Sequence, residues 1–430
     1  MRYTQLPADL YRRNRAAFMA QMQPGALALF FSNDIYPTSA DGTLPFKQAS
    51  DMLWLTGVDQ EETVLVLFPD ASNPRDREIL FTLETNEELA IWEGAKLTKQ
   101  QATERTGIGQ IQWTQFLDRT LQRLLAEAEG VYLNDNPHMR ARNVVETRTD
   151  RENAAFRARY PHHRVERSAP ILYGLRAIKS PEEVDQMQRA CDITRAGFER
   201  VLGFVRPGVM EYEIEAEFLH EFVRRGSRGF AYTPIIGSGA NANVLHYIEN
   251  AAECRAGEVI LMDVGAEYGG YASDMTRCVP VSGRFTPRQR SVYESVLRVM
   301  RGAMGLLRPG VTLAAYHVQV GELMTQELLG LGLLQPEEVA AQNPDVPAYK
   351  KYFMHGTSHF LGLDVHDVGH WHQPIRVGQV FTVEPGIYIR EEGLGIRLEN
   401  DILITEDGFR DLMAHIPIEP DDIEAAMARR

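Results

Sequence analysis

At 430 residues the chain exceeds one ordinary domain, which points to two. Its 44% hydrophobic and 24% charged residues describe a globular protein, and no apolar run approaches the ~18 residues a membrane span needs, so a membrane partner is excluded. A formal charge of −14 argues against nucleic acid as partner and leaves room for bound cations.

Near the N-terminus, Arg12, Arg13 and Arg15 share a helical-looking segment with Asp9 and read as its solvated face. Buried-strand runs follow at residues 26–31, 63–68 and 78–83. Helical spacing occupies 113–129, and strand character resumes at 131–133. Together these predict a mixed α/β domain over residues 1–172. The polar, basic stretch 150–170 reads as the connection to a second domain, residues 173–430. There Ser180, Pro181 and Glu183 spell a capping box with proline at the first helical position. That helix should run to Val205 and stop at Arg206-Pro207-Gly208-Val209, with another helix over 212–225. The same tetrapeptide recurs as Arg308-Pro309-Gly310-Val311, again between helical segments (287–307 and 313–331) and again followed by strand-like runs. Two copies in matching context predict a duplicated α/β unit. The cysteines, Cys191, Cys254 and Cys278, have no zinc-type spacing and suit a reducing cytoplasm.

Two acidic hairpins carry the chemistry. Asp263 follows the apolar run Val259-Ile260-Leu261-Met262, where an unpaired charge is costly. If residues 258–265 and 270–280 pair around a turn at Tyr268-Gly269, Asp274 comes to lie opposite Asp263, with Cβ atoms roughly 4.5–5.5 Å apart. In the second repeat, Val380-Phe381-Thr382-Val383 leads to Glu384, and residues 395–401 return with Arg397, Glu399 and Asp401 on one face. Glu384 and Glu399 form a second candidate pair. Between the hairpins lie His355, His359 and His366. His355 and His359 have the spacing of a zinc helix, but Gly356, Thr357 and Ser358 weaken a helix and no glutamate follows His355. One histidine joined to four carboxylates makes a hard, oxygen-rich set. Such a set suits two Mn2+-like ions, whose charge four carboxylates balance.

The motifs GLRAIKSPEEV (174–184), GSGANANVLHY (237–247), MDVGAEYGGYASDMTR (262–277), HGTSHFLGLDVHDVG (355–369), TVEPGIYI (382–389) and GIRLEND (395–401) resemble, in order, the catalytic domain of the aminopeptidase P (Xaa-Pro aminopeptidase) family. Its wider relatives include prolidase and methionine aminopeptidase. MQPGALALFFSND (22–34) and PFKQASDMLWLTGVDQEETVLVL (45–67) resemble that family's N-domain. The resemblance implies a "pita-bread" catalytic domain with pseudo-twofold halves behind the smaller N-domain. It implies a metallopeptidase releasing an N-terminal residue ahead of proline, by attack of a hydroxide bridging two divalent metals. Mn2+ is the expected ion, with Co2+, Zn2+ or Fe2+ as substitutes. By resemblance Asp263 holds one metal, His359 and Glu384 the other, and Asp274 and Glu399 bridge; Glu384 also shuttles the proton. His246, His355 and His366 match substrate-facing histidines, Tyr388 and Arg397 match residues that orient the aspartate ligand, and Trp92 matches an aromatic that in some relatives reaches a neighbouring subunit. A homodimer or homotetramer is implied, with the N-domain restricting access and making oligomer contacts. The alternative is prolidase, confined to Xaa-Pro dipeptides.

Overall fold

The computed structural model describes residues 2–135, 138, 140 and 144–429. The chain divides into two units, Gln5–Arg176 and Ala177–Arg430 with Met1–Thr4. Among the described residues no helix is long and apolar enough to cross a membrane.

A six-stranded mixed sheet organises the N-terminal unit, in the order Gln110–Trp113, Glu78–Thr82, Val64–Leu67, Ala26–Phe31, Gly130–Leu133, Arg164–Arg167. The strand Ala26–Phe31 is wholly buried, antiparallel to one neighbour and parallel to the other. Burial on both faces makes such a strand a continuous apolar run, which is why it reads so clearly in the sequence. Two expectations fail here. The stretch 150–170 is no connection: it lies within helix Arg148–Arg159, capped by Thr147, the edge strand Arg164–Arg167, and the start of helix Ala169–Arg176. An edge strand tolerates charge, so its composition imitates a linker. Arg15 is not solvated either. It is fully buried, binds the Glu78 carboxylate 63 residues away and donates to the Leu55 carbonyl.

In the C-terminal unit, Ser180 caps helix Pro181–Phe204, with the Glu183 carboxylate reaching back to the Ser180 amide at 2.8 Å. Just before it, Lys179 Nζ meets Asp367 Oδ2 at 3.0 Å with both side chains 1% exposed. Breaking such a buried pair costs about 3–5 kcal/mol, so this contact pins the helix start to the histidine-rich loop.

The duplication is physical. Each half packs a helix pair, Pro181–Phe204 with Glu211–Arg224 and Pro287–Leu306 with Leu313–Gly330. Each Arg-Pro-Gly-Val turn then makes the same two-bond clasp on the chain entering the sheet. The Gly208 amide donates to the Cys254 carbonyl (2.9 Å) and the Cys254 amide to that of Val209 (2.8 Å). The Gly310 amide donates to Ile375 (2.9 Å) and the Ile375 amide to Val311 (2.8 Å). Asp263 stands nine residues past Cys254, and Glu384 nine past Ile375. Each half continues into an antiparallel three-stranded sheet: Met275–Pro280, Val259–Val264, Ile235–Ser238 in one, and Val380–Val383, Asn400–Thr405, Gly408–Asp411 in the other. The two meet where the Glu399 amide donates to the Thr276 carbonyl and the Asp274 amide to the Asp401 carboxylate, each at 3.1 Å.

The first hairpin's register differs from the expected one. Tyr268 pairs with Tyr271 and Asp263 with Thr276, so the turn is Gly269-Gly270. Both turn residues have positive φ, 62° and 90°. A two-residue turn of this kind demands that backbone, and Tyr268 would pay sterically to adopt it. Asp274 is therefore a diagonal neighbour of Asp263 on the same face. In the second hairpin, Val383 pairs with Asn400 and Gly386 with Arg397, a common register that sets Glu384 opposite Glu399.

Candidate active site

The two hairpins and the loop between them bring acidic and imidazole groups together. Asp274, His359 and Glu399, all buried, each offer a ligand atom within 4.8 Å of the others. His359 Nε2 lies 3.4 Å from Asp274 Oδ2 and 3.8 Å from Glu384 Oε1. Its Nδ1 faces the Phe360 carbonyl at 3.0 Å, which places the proton there and leaves the Nε2 lone pair for the carboxylate cluster. Asp263 enters through Tyr232, whose Oη is 2.6 Å from Asp263 Oδ1 and 2.5 Å from Asp274 Oδ1.

This set fits divalent cations. Tyr232 has one hydroxyl proton to share between two carboxylates, of which Asp263 also accepts from Arg397. Burial, then the nearby aspartate charges, pushes Asp274 and Glu399 well above the usual carboxylate range. Burial likewise raises Glu384 to about 7, with His359 and Arg397 pulling the other way. Carboxylates crowded like this hold protons unless a cation replaces them. Oxygen donors with a single imidazole match hard or borderline divalent ions.

A second layer fixes these side chains. Arg397 Nη2 donates to Asp263 Oδ2 at 2.6 Å, its Nη1 to Tyr388 Oη at 2.8 Å, and its Nε to Thr276 Oγ1 at 3.2 Å. Thr276 in turn donates to Glu399 Oε2 at 2.6 Å. Tyr388 Oη sits 2.8 Å from His355 Nε2, and His355 Nδ1 lies 3.7 Å from Glu384 Oε2. Burial first, then Arg397, depresses His355 to about 3, so it is neutral at physiological pH. His317 and His246 add to that depression, which brings His246 into the same electrostatic neighbourhood. His366 packs edge-on against His359, ring centroids 4.3 Å apart. His246 itself is exposed, in the turn after the 3-10 helix Gly239–Asn243. Trp92 belongs to the N-terminal unit, 82% exposed on helix Glu87–Glu93 beside Ile91 at 79%.

Two residues escaped the sequence reading. Tyr232 lies outside any acidic or histidine pattern. Its segment is placed by a bridge between Phe230 and Ala266 that nothing local announces. Asp401 was assigned only to a strand face. It is fully buried, accepts the Asp274 amide, and stands 3.4 Å from Cys191 Sγ.

With this geometry in view, comparison with known proteins is decisive. Residues 185–406 match the model of metallopeptidase family M24, and residues 11–132 match that of the aminopeptidase P N-terminal domain. The Xaa-Pro aminopeptidase of Escherichia coli is 37% identical, over 97% of each chain.

The chain belongs to metallopeptidase family M24.

A solved glutamate-to-alanine variant of Escherichia coli aminopeptidase P in complex with substrate superposes on this M24 chain with a TM-score of 0.88, at 35% identity and 99% coverage of both chains. A zinc-substituted form of the same Escherichia coli enzyme, in complex with product, gives 0.87 at 36% identity and 99% coverage of both. The fold expected from sequence, an N-terminal mixed α/β domain ahead of the M24 catalytic domain, is borne out.

Proposed function

We propose that this M24 metallopeptidase is a Xaa-Pro aminopeptidase that holds two divalent cations, Mn2+ in the cell. The observation that carries the reading is the convergence of Asp263, Asp274, His359, Glu384 and Glu399 from both halves of the duplicated unit. Asp263 would hold one ion, His359 and Glu384 the other, with Asp274 and Glu399 shared. Bound there, the ions supply a water acidic enough to attack at neutral pH and polarise the carbonyl ahead of proline.

The protein's own groups do the rest. Glu384 takes a proton from the attacking water and delivers it to the departing proline nitrogen. Arg397 keeps Asp263 fixed through its short contact and, through Tyr388, orients His355. Neutral His355 presents an imidazole to the substrate without repelling its free amine. His246 or His366 steadies the oxyanion, and both form walls for a proline ring, whose fixed φ and missing amide hydrogen distinguish it from other residues.

The presence of both the N-terminal and catalytic modules supports an aminopeptidase over a dipeptidase. To the N-terminal unit we assign restriction of access to unstructured N-termini. The exposed pair Ile91 and Trp92 supports a contact between copies in a homodimer or homotetramer. Three buried, unpaired cysteines suit the cytoplasm. Product analysis on Xaa-Pro dipeptides, Xaa-Pro-Yaa tripeptides and longer Xaa-Pro peptides, with Mn2+ added to metal-stripped protein, tests the reading. Release of the first residue from all of them is expected; cleavage confined to Xaa-Pro dipeptides would make the chain a prolidase.

A further inference from the structure

Glu211, the first residue of helix Glu211–Arg224, is fully buried, and its carboxylate's hydrogen-bond partners lie outside the acidic cluster. Its carboxylate nevertheless gathers five donors. Oε1 accepts from the Ser238 amide (2.7 Å), Ser238 Oγ (2.9 Å) and Asn241 Nδ2 (3.3 Å). Oε2 accepts from Tyr247 Oη and the Ala252 amide, both at 2.9 Å. The Glu211 amide also donates to the Ala252 carbonyl at 3.0 Å. All these partners lie on one segment, residues 238–252, in whose middle His246 is exposed.

That segment begins at the end of strand Ile235–Ser238. It holds one short 3-10 helix, Gly239–Asn243, and around His246 it exposes Val244 and Ile248. A second anchor is Asn250, in the left-handed region at φ 46°, which accepts the Ile236 amide and donates to Glu215 and the Pro234 carbonyl. On its far side the 3-10 helix seats on strand Leu394–Arg397, where a side chain at Gly395 would come within 2.2 Å of the Ala242 carbonyl. That strand ends at Arg397.

We propose that Glu211 is a positioning residue: its buried carboxylate is the hub that holds the 238–252 segment in shape and so sets His246 over the substrate. The inference rests on the Xaa-Pro aminopeptidase reading, in which His246 meets substrate. Glutamine at 211 keeps the size but turns one acceptor into a donor facing donors, which loosens the segment. A misplacement of about 1 Å at a positioned group costs up to ~100-fold in rate.

The test is a double-mutant cycle on kcat/KM for an Xaa-Pro-Yaa peptide, using Glu211→Gln, His246→Ala and both together, with bound metal measured for each. Glu211→Gln is expected to lower kcat/KM about 10- to 100-fold at unchanged metal content, and to add nothing once His246 is alanine. Losses that multiply, a Glu211→Gln rate equal to wild type, or loss of the metal would overturn the proposal. Should Glu211→Gln fail to fold, Tyr247→Phe removes one spoke of the hub. It is expected to give a smaller loss that likewise vanishes in the His246→Ala background, and a loss that persists there would overturn it. Wild-type protein that cleaves no Xaa-Pro peptide, or His246→Ala protein as active as wild type, would instead sink the functional reading beneath it.

Discussion

Replacing Glu384 with glutamine is expected to lower kcat for Xaa-Pro peptides by about 10²- to 10⁴-fold, the contribution of a positioned general acid–base. Glu384 stands opposite Glu399 at the end of one hairpin, 18% exposed, with its oxygens toward His359 and His355. That is the widest window to solvent in the cluster, where Asp263 is 14%, Asp274 6% and Glu399 1% exposed. Glutamine keeps the amide oxygen as a donor atom but cannot carry the proton. The variant should therefore still bind metal through Asp274, His359 and Glu399 while losing turnover. Steady-state kinetics with metal analysis checks this. A variant that keeps wild-type kcat would remove Glu384 from the chemistry.

The second large effect is thermal. Chelating divalent cations is expected to lower the melting temperature by several degrees, and by more near pH 8 than near pH 5. The sign follows from which state binds protons. Asp274, Glu399 and Glu384 have pKa values raised in the fold, chiefly by burial. The metal-free folded state thus holds protons that the unfolded chain has released. The stability these three carboxyls contribute is greatest below the ordinary carboxylate range and falls as pH climbs, through about 7 for Glu384. His355, depressed to about 3, works the other way, adding stability as pH rises from about 3 to its ordinary value of 6.5. Above that point its contribution is complete and no longer opposes that of the carboxyls. Cations take the place of the protons, so loaded protein should lack this loss. Calorimetry on chelated and Mn2+-loaded protein at several pH values measures it. A gap that shrinks as pH rises would contradict the picture.

Much of the fold was legible because its signals are local. The Arg-Pro-Gly-Val repeat announced a duplication, and both copies make the same clasp on Cys254 and Ile375. Ser180 and Glu183 marked a helix start through a pattern four residues long. The second acidic hairpin keeps one register through Val383–Asn400 and Gly386–Arg397. In the first, the expected turn at Tyr268-Gly269 falls one residue short of the observed Gly269-Gly270, whose positive φ at both positions suits glycine. What the sequence hid is long-range. Arg15 finds its carboxylate at Glu78, Tyr232 reaches two aspartates from an unmarked segment, and Glu211 organises residues 27 to 41 positions away. Strand Arg164–Arg167 has the composition of a connection because an edge strand need not be apolar.

The central claim is that five side chains from two repeats surround a pair of cations. Anomalous diffraction at the manganese edge, from crystals grown with Mn2+, tests it most directly. Two peaks are predicted among Asp263, Asp274, His359, Glu384 and Glu399, with Asp274 and Glu399 touching both; a single peak, or none at that place, would contradict it.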